Sequence, residues 1–503
     1  MTLQDWLKLK NGTDIRGTAS DGVAGEKINL TDEVVTTLAK AFYVWLQKHT
    51  GKQLVTIAVG YDSRISAKRL TDCVVNGICA CGGKAVVTGL SSTPSMFMLL
   101  QKPSFRCEGS IMLTASHLPF NKNGMKFFAK EGGLESEELT EIINIAHKGK
   151  FPAGAGEASS RSFMDEYCAD LVALARKETG EEKPLLGKRV IVDAGNGAGG
   201  FYATKVLQPL GADTTGSQFL EPDGNFPNHI PNPENKAAMD SVCKAVKDSR
   251  ADFGVIFDTD VDRAGAVDKN GEEINRNRLI ALISAILLKE HKGAYIVTDS
   301  VTSDGLAKFI AAHGGVHHRF KRGYKNVINE AKRLCEEGKY APLAIETSGH
   351  AALKENYFLD DGAYLVTKLL ISLARAAKEG KELTSLIEDL PMPAEEAELR
   401  PTFVDPESDF KALGAEIMKS LIKYAKNTPY VTLAPDNREG VRMNFDEEHG
   451  NGWVLVRMSL HEPIMPVNAE SEQAGGCKKL VREIYGFLKN YDCLNLSSFE
   501  KYL

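Results

Sequence analysis

The stretch "GVIFDTDVDRAG" places Asp258, Asp260 and Asp262 at alternate positions directly after an apolar run. In extended chain alternate side chains share a face, so the three carboxylates converge. Gathered where the dielectric is low they repel one another, and a hard divalent cation with oxygen ligands relieves that repulsion. Mg²⁺ suits such a site if it also handles phosphate. A second stretch, "SIMLTASHLPFNKNGMKFF", ends an apolar run at Ser116 and His117, ahead of a turn expected at Asn123-Gly124. Ser116 there is either a nucleophile with an imidazole beside it or part of an ordinary Ser-x-x-Pro turn. "AIETSGHAAL" offers Glu346, Ser348 and His350, an acceptor, a hydroxyl and an imidazole suited to sugar hydroxyls. "VRMSLHEP" offers Arg457, Ser459 and His461 at alternate positions, suited to gripping a phosphate.

Other readings of these motifs are open to test within the sequence. An EF-hand starting at Asp258 needs glycine at its sixth position and glutamate at its twelfth; Arg263 and Lys269 stand there, so that reading fails. An apolar strand followed by Asp-x-Asp is also the pattern of haloacid-dehalogenase-like phosphatases, with Asp258 as nucleophile and "FLDDG" (Phe358 to Gly362) as a later acidic pair. That alternative leaves Ser116 without a role. "VIVDAGNGAGG" contains Gly195-x-Gly197-x-x-Gly200, formally a dinucleotide fingerprint, but the acidic residue expected after it is ambiguous between Glu221 and Asp223. A plain strand-to-helix turn is the preferred reading.

The elements that must position these loops alternate along the chain. Thr31, Asp32 and Glu33 start a helical run whose apolar face includes Val34, Leu38, Phe42 and Leu46. Buried strands are expected at Leu54–Val59, Lys84–Val87, Ser110–Leu113, Arg189–Val192, Asp252–Phe257, Ala294–Val297 and Leu343–Ile345. Continuous apolar strands separated by helices imply parallel sheets covered on both faces. "KGKFPAGAGEASSRS" (148–162) and "EDLPMPAEEAELRPTF" (388–403) read as linkers, and "GVRMNF" and "GWVLVRMSL" as strands of a last, antiparallel α+β unit.

A chain of 503 residues exceeds what one core organises, so three or four domains are expected. The net charge of -6 gives no electrostatic footprint for nucleic acid. The longest apolar run, Leu279 to Leu288, is too short to span a bilayer, and the first residues lack the pattern of a signal peptide. Nine scattered cysteines without a CxxC fit free thiols in a reducing cytoplasm.

Taken in order, "TDIRG", "GYDSRIS", "TASHLP", "VDAGNGAGG", "EPDGNFPNHIPNPE", "DTDVDR" and "ETSGH" resemble the motifs of the α-D-phosphohexomutase family across nearly the whole chain. The resemblance implies three related α/β domains with mixed or parallel sheets and a C-terminal α+β domain around a central cleft. The divisions expected are 1–157 (phosphoserine loop), 158–268 (metal loop), 269–391 (sugar recognition) and 392–503 (phosphate binding). It implies interconversion of hexose 1- and 6-phosphates, of the glucose/mannose type, through a hexose 1,6-bisphosphate. Ser116 would be the phosphorylated nucleophile, its phosphate ligating Mg²⁺ with Asp258, Asp260 and Asp262. Arg16, Lys126 and Arg263 match basic residues of the catalytic centre, with His117 beside the serine. The expected protein is a cytoplasmic monomer or homodimer that binds neither nucleic acid nor membrane. In the last loop Leu460 and His461 replace the family's glycine and threonine, which also leaves open a sugar-phosphate binding protein without turnover.

Overall fold

The structure, a computed structural model, describes residues 1–405, 408–459 and 462–503. It divides into two compact units, Met1–Asn275 with Ser348–Ser385, and Arg276–Thr347 with Leu386–Leu503.

The first unit carries two mixed sheets. One is built from β1 (Asp14–Thr18), β2 (Thr56–Tyr61), β3 (Lys84–Leu90), β4 (Gly109–Leu113), β5 (Lys122–Ala129) and β6 (Glu157–Ser160). Their spatial order is β1-β5-β4-β2-β3-β6, with the short strand Lys10–Asn11 outside β1. Thr31 starts the helix Asp32–Thr50 by accepting the Val34 N–H at 3.3 Å, and the face formed by Val35, Leu38, Phe42 and Leu46 is buried on this sheet. The second sheet runs β7 (Val190–Asp193), β8 (Phe253–Phe257), β9 (Ala264–Asp268), closed by Glu273–Ile274. Strands β4, β7, β8 and β9 are buried along their whole length, which is why their sequences show no alternation.

The sheets are less uniformly parallel than continuous apolar strands suggested. β2, β3, β4 and β6 are parallel, but β4 pairs β5 antiparallel and β8 pairs β9 antiparallel. Both chemically interesting loops therefore connect antiparallel neighbours, and each is held at its two ends by one sheet. Asn123-Gly124, expected as a turn, lies inside β5; the chain reverses earlier, between Ser116 and Asn121. The stretch 148–162, expected as a linker, lays β6 parallel to β3.

In the second unit β10 (Tyr295–Thr298), β11 (Val316–Arg319) and β12 (Leu343–Ile345) are parallel. A separate antiparallel sheet has the order β13 (Glu395–Leu399), β17 (Val467–Ser471), β16 (Gly452–Val456), β15 (Val441–Phe445), β14 (Val431–Leu433). The helices Phe410–Asn427 and Gly476–Leu488 bury Ile417, Leu421, Leu480 and Ile484 against it. The expected α+β unit is thus present, though the second stretch read as a linker supplies its edge strand β13.

Candidate active site

The loop between β4 and β5 presents Ser116 in the left-handed region, at φ 50°. Its N–H donates to Thr114 Oγ1 at 2.9 Å, a local side-chain turn that competes with continuation of the strand. Ser116 is buried, and its Oγ donates to Asp258 Oδ2 at 2.9 Å while accepting from Arg263 Nη2 at 2.8 Å. The serine is thus clamped between a carboxyl group that accepts its hydrogen bond and a cation that faces its oxygen.

Asp258 begins the loop between β8 and β9, in which Val261 takes φ 66°, an unusual conformation for a β-branched residue. That turn brings ligand oxygens of Asp258, Asp260 and Asp262 within 4.8 Å of one another, all three residues buried. Lys126 Nζ, from β5, donates to Asp260 Oδ2 at 2.9 Å and also to Asp262 Oδ2. Thr93 Oγ1 donates to Asp260 at 2.5 Å. Arg263 Nε donates to Asp258 Oδ2 at 3.1 Å, and its backbone N–H to Oδ1 at 3.2 Å. Arg16, from β1, donates through Nη1 to the Ala115 carbonyl at 2.5 Å and through Nη2 to Asp14 at 2.9 Å.

The electrostatics favour a cation here. Burial, then Asp262 and Asp260, push Asp258 well above the usual carboxylate range. Burial acts on Asp262 in the same sense, but Lys126, His350 and Arg263 outweigh it and hold that group low. Oδ1 of Asp260 and Oδ1 of Asp262 are buried without a hydrogen bond. Two orphaned carboxylate oxygens beside a third carboxylate are hard oxygen donors of the kind that suit a divalent ion.

His117 Nδ1 lies 3.3 Å from Ser116 Oγ and accepts from Arg263 Nη2. Burial, then Arg263 and Arg16, push this imidazole down to about 2, so it is neutral. With Nδ1 receiving the guanidinium, the serine's hydrogen bond goes to Asp258.

The expected sugar-binding residues fall in both units. His350 and Ser348 belong to the first, and Glu346 to the second. His350 Nδ1 meets Asp360 and lies 4.0 Å from Asp262 Oδ1. Burial opposes its charge, but Asp360 and Asp262 outweigh that and lift it to about 9. In the second unit Glu346 accepts the Gly323 N–H at 2.6 Å. Arg457 is buried, with its Nε making no hydrogen bond, and Ser459 Oγ accepts the Glu462 N–H at 3.3 Å. His461 and Leu460 lie outside the described residues.

Several partners of these residues escaped the sequence reading. Thr93 heads a short helix with no local pattern pointing to it, and Asp360, at the end of the strand Leu359–Asp360, reads in "FLDDG" only as part of the phosphatase alternative's acidic pair, not as the partner of His350. Asn232 Oδ1, 3.4 Å from Arg263 Nη1, and Glu234, 3.9 Å from the same nitrogen, come from "NHIPNPE". The glycine fingerprint finds its use here too: Ala198 N–H donates to the Thr259 carbonyl at 2.8 Å, so the turn braces the aspartate loop.

Comparison with known proteins supplies the family. Sequence models of phosphoglucomutase/phosphomannomutase alpha/beta/alpha domains I, II and III match residues 8–153, 165–271 and 275–393. A phosphoglucomutase/phosphomannomutase of Thermococcus kodakarensis is 30% identical over 90% of this chain and 93% of its own. A phosphomannomutase/phosphoglucomutase of Pseudomonas aeruginosa is 28% identical over 91% and 90%. Among solved structures, a phosphoglucomutase/phosphomannomutase family protein from Burkholderia thailandensis superposes with a TM-score of 0.78 at 26% identity, covering 96% of this chain and 97% of that one. Parafusin from Paramecium, at 18% identity and a TM-score of 0.73 over 98% and 95%, shares the fold. A serine poised on an aspartate cluster, in a chain matched by three consecutive domain models, leads to one conclusion: this chain belongs to the phosphoglucomutase/phosphomannomutase family of α-D-phosphohexomutases.

Proposed function

We propose that this protein is a cytoplasmic, Mg²⁺-dependent phosphohexomutase. As an isomerase it would interconvert hexose 1-phosphate and hexose 6-phosphate of the glucose/mannose type through a phosphoserine at Ser116. The observation that carries the proposal is the position of Ser116 Oγ, 2.9 Å from Asp258 Oδ2 and 2.8 Å from Arg263 Nη2. In the forward step a hydroxyl oxygen of the hexose monophosphate loses its proton and bonds to phosphorus as the bond from phosphorus to Ser116 Oγ breaks, and Oγ gains a proton in return. The bisphosphate then turns round, and its other phosphoryl group returns to Oγ, leaving the isomeric monophosphate.

Arg263 Nη2 faces the oxygen on which negative charge develops when the phosphoryl group leaves, a preorganised contact of the kind that lowers transfer barriers. Asp258, Asp260 and Asp262 would hold Mg²⁺, which when bound neutralises their charge and draws electron density from phosphoryl oxygens. Lys126 bridges Asp260 and Asp262 and keeps their carboxylates oriented. Glu346, Ser348 and His350 are assigned to sugar hydroxyls, and Arg457 and Ser459 to the phosphate that is not reacting.

The phosphatase reading, with Asp258 as nucleophile, is disfavoured by the surroundings of that carboxylate. Its Oδ2 accepts from both Ser116 and Arg263, and its Oδ1 from the Arg263 N–H. A panel of hexose 1-phosphates followed by phosphorus NMR tests the proposal. Isomerisation to the 6-phosphate supports it; release of inorganic phosphate, or binding without change, overturns it.

A further inference from the structure

We propose that Arg64 is a positioning residue for phosphoryl transfer, one that enforces the backbone conformation aiming Ser116 Oγ; this rests on the phosphoserine reading above. Arg64 follows β2 in "GYDSR" and is buried, 2% exposed. A guanidinium has five N–H donors in a fixed plane, and here all five are engaged. Nε donates to Asp62 Oδ2 at 3.2 Å. Nη1 donates to the carbonyls of Pro119 at 2.8 Å and Lys122 at 2.9 Å. Nη2 donates to the Leu118 carbonyl at 2.8 Å and to the carbonyl of Ser116 itself.

Four carbonyls of one reversal, Ser116 to Lys122, thus converge on a single side chain from the neighbouring strand. From Ser116 to Asn121 the reversal contains no helix or strand; the Pro119 carbonyl also accepts the Lys122 N–H at 3.0 Å, whereas the buried Ser116 carbonyl is held by Arg64. Ser116 sits at φ 50°, which an L-residue holds only where its surroundings impose it. Thr114 fixes the N–H side of Ser116 and Arg64 the carbonyl side. Rotation of Ser116 out of this region would move Oγ away from Asp258 and Arg263.

The base of this device is rigid as well. Asp62 accepts the Arg64 N–H at 3.1 Å, and its own N–H donates to the Leu113 carbonyl, the last residue of β4, at 3.1 Å. The loop "EPDGNFPNHIPNPE" closes over it. The Phe226 ring lies 5.4 Å from the Arg64 guanidinium, and a β-carbon on Gly224 would stand 2.4 Å from Ile65 N and 2.7 Å from the Arg64 carbonyl carbon. The strand exit and the start of the second-domain motif, whose far end reaches Arg263 through Asn232 and Glu234, meet on the arginine that holds the nucleophile loop.

The test uses the full-length enzyme and the variants Arg64→Lys and Arg64→Gly. An ammonium keeps the charge but cannot direct donors from two nitrogens to four carbonyls. Arg64→Lys should therefore melt below the wild type yet stay folded at the assay temperature, while losing on the order of 100-fold in kcat, with KM unchanged. Guanidinium chloride, below the concentration that unfolds the wild type, should restore part of the kcat of Arg64→Gly. A folded Arg64→Lys with the wild-type kcat overturns the proposal. So does loss of activity that tracks loss of folding in both variants, with no guanidinium rescue, because Arg64 would then only support the fold. Wild-type enzyme that fails to isomerise any hexose phosphate would instead remove the functional reading on which this rests.

Discussion

A β-carbon on Gly197 would lie 2.7 Å from the carbonyl oxygen of Thr259, so the turn after β7 and the aspartate loop are in backbone contact. No flexible side chain is there to give way. Gly197→Ala should shift the aspartate loop and destabilise the protein by about 1–3 kcal/mol, the usual cost of overpacking. It should also weaken Mg²⁺ binding. Thermal melts with and without Mg²⁺ check both effects; a variant with the wild-type melting temperature and the same Mg²⁺-induced shift would contradict the bracing role.

Asp260 is the carboxylate shared by Thr93 and Lys126. Asp260→Asn retains the shape but removes a charge, so it should leave the circular dichroism unchanged, raise the Mg²⁺ concentration for half activity and lower kcat by roughly 100-fold. Normal turnover without added metal would discard the assignment of the three aspartates.

Ser116 should be the residue that carries the phosphoryl group. Protein labelled with a hexose bisphosphate should retain phosphate on the peptide containing Ser116 through acid, as a phosphoserine does, and resist hydroxylamine. Label confined to Asp258 and lost to hydroxylamine would favour the phosphatase alternative.

Arg457→Ala should raise KM for hexose phosphates by about 10- to 100-fold, the scale of a lost hydrogen bond to a charged group. Because arginine remains protonated throughout, that penalty should be the same at pH 6 and pH 8. A KM increase confined to one end of this range would point to a titrating partner instead.

Glu470, on β17, gives a stability prediction. Burial lifts it from 4.5 to about 7, against the hydrogen bonds it accepts from Trp453 Nε1 and, at 3.3 Å, from the Asp304 N–H. Between those two values the folded chain keeps a proton that the unfolded chain has lost. Stability should therefore fall as pH rises through this window, by on the order of 3 kcal/mol at most. Glu470→Gln, which cannot ionise, should be less sensitive to pH between 5 and 8 in thermal melts. Parallel wild-type and variant curves would show that Glu470 titrates normally.

Much of the site was legible because its chemistry is written in short-range patterns. Three aspartates at alternate positions, after a strand with no polar residue, pointed to a cluster, and the structure gathers them within 4.8 Å, though through a turn with Val261 at φ 66° and not through extended chain. The apolar runs of β4, β8 and β12 marked strands because burial on both faces leaves no room for polar side chains. Local sequence also determined the helix start at Thr31 and the antiparallel character of the last domain.

What the sequence left undecided is long-range. The stretches 148–162 and 388–403 look like linkers, yet each contains an edge strand, β6 and β13, whose pairing depends on a neighbour far along the chain. Asn123-Gly124 has turn chemistry but lies in β5, because the ladder with β1 and β4 outweighs local preference. The partners Ser116–Asp258, Lys126–Asp260 and Arg263–His117 are separated by 142, 134 and 146 residues. Their contact is decided by strand order and register, which no local spacing encodes. Residue type alone set what each of these side chains could do; only the tertiary structure decided which oxygen accepts the serine's hydrogen bond and which arginine holds its backbone, since those choices follow from distances that folding alone creates.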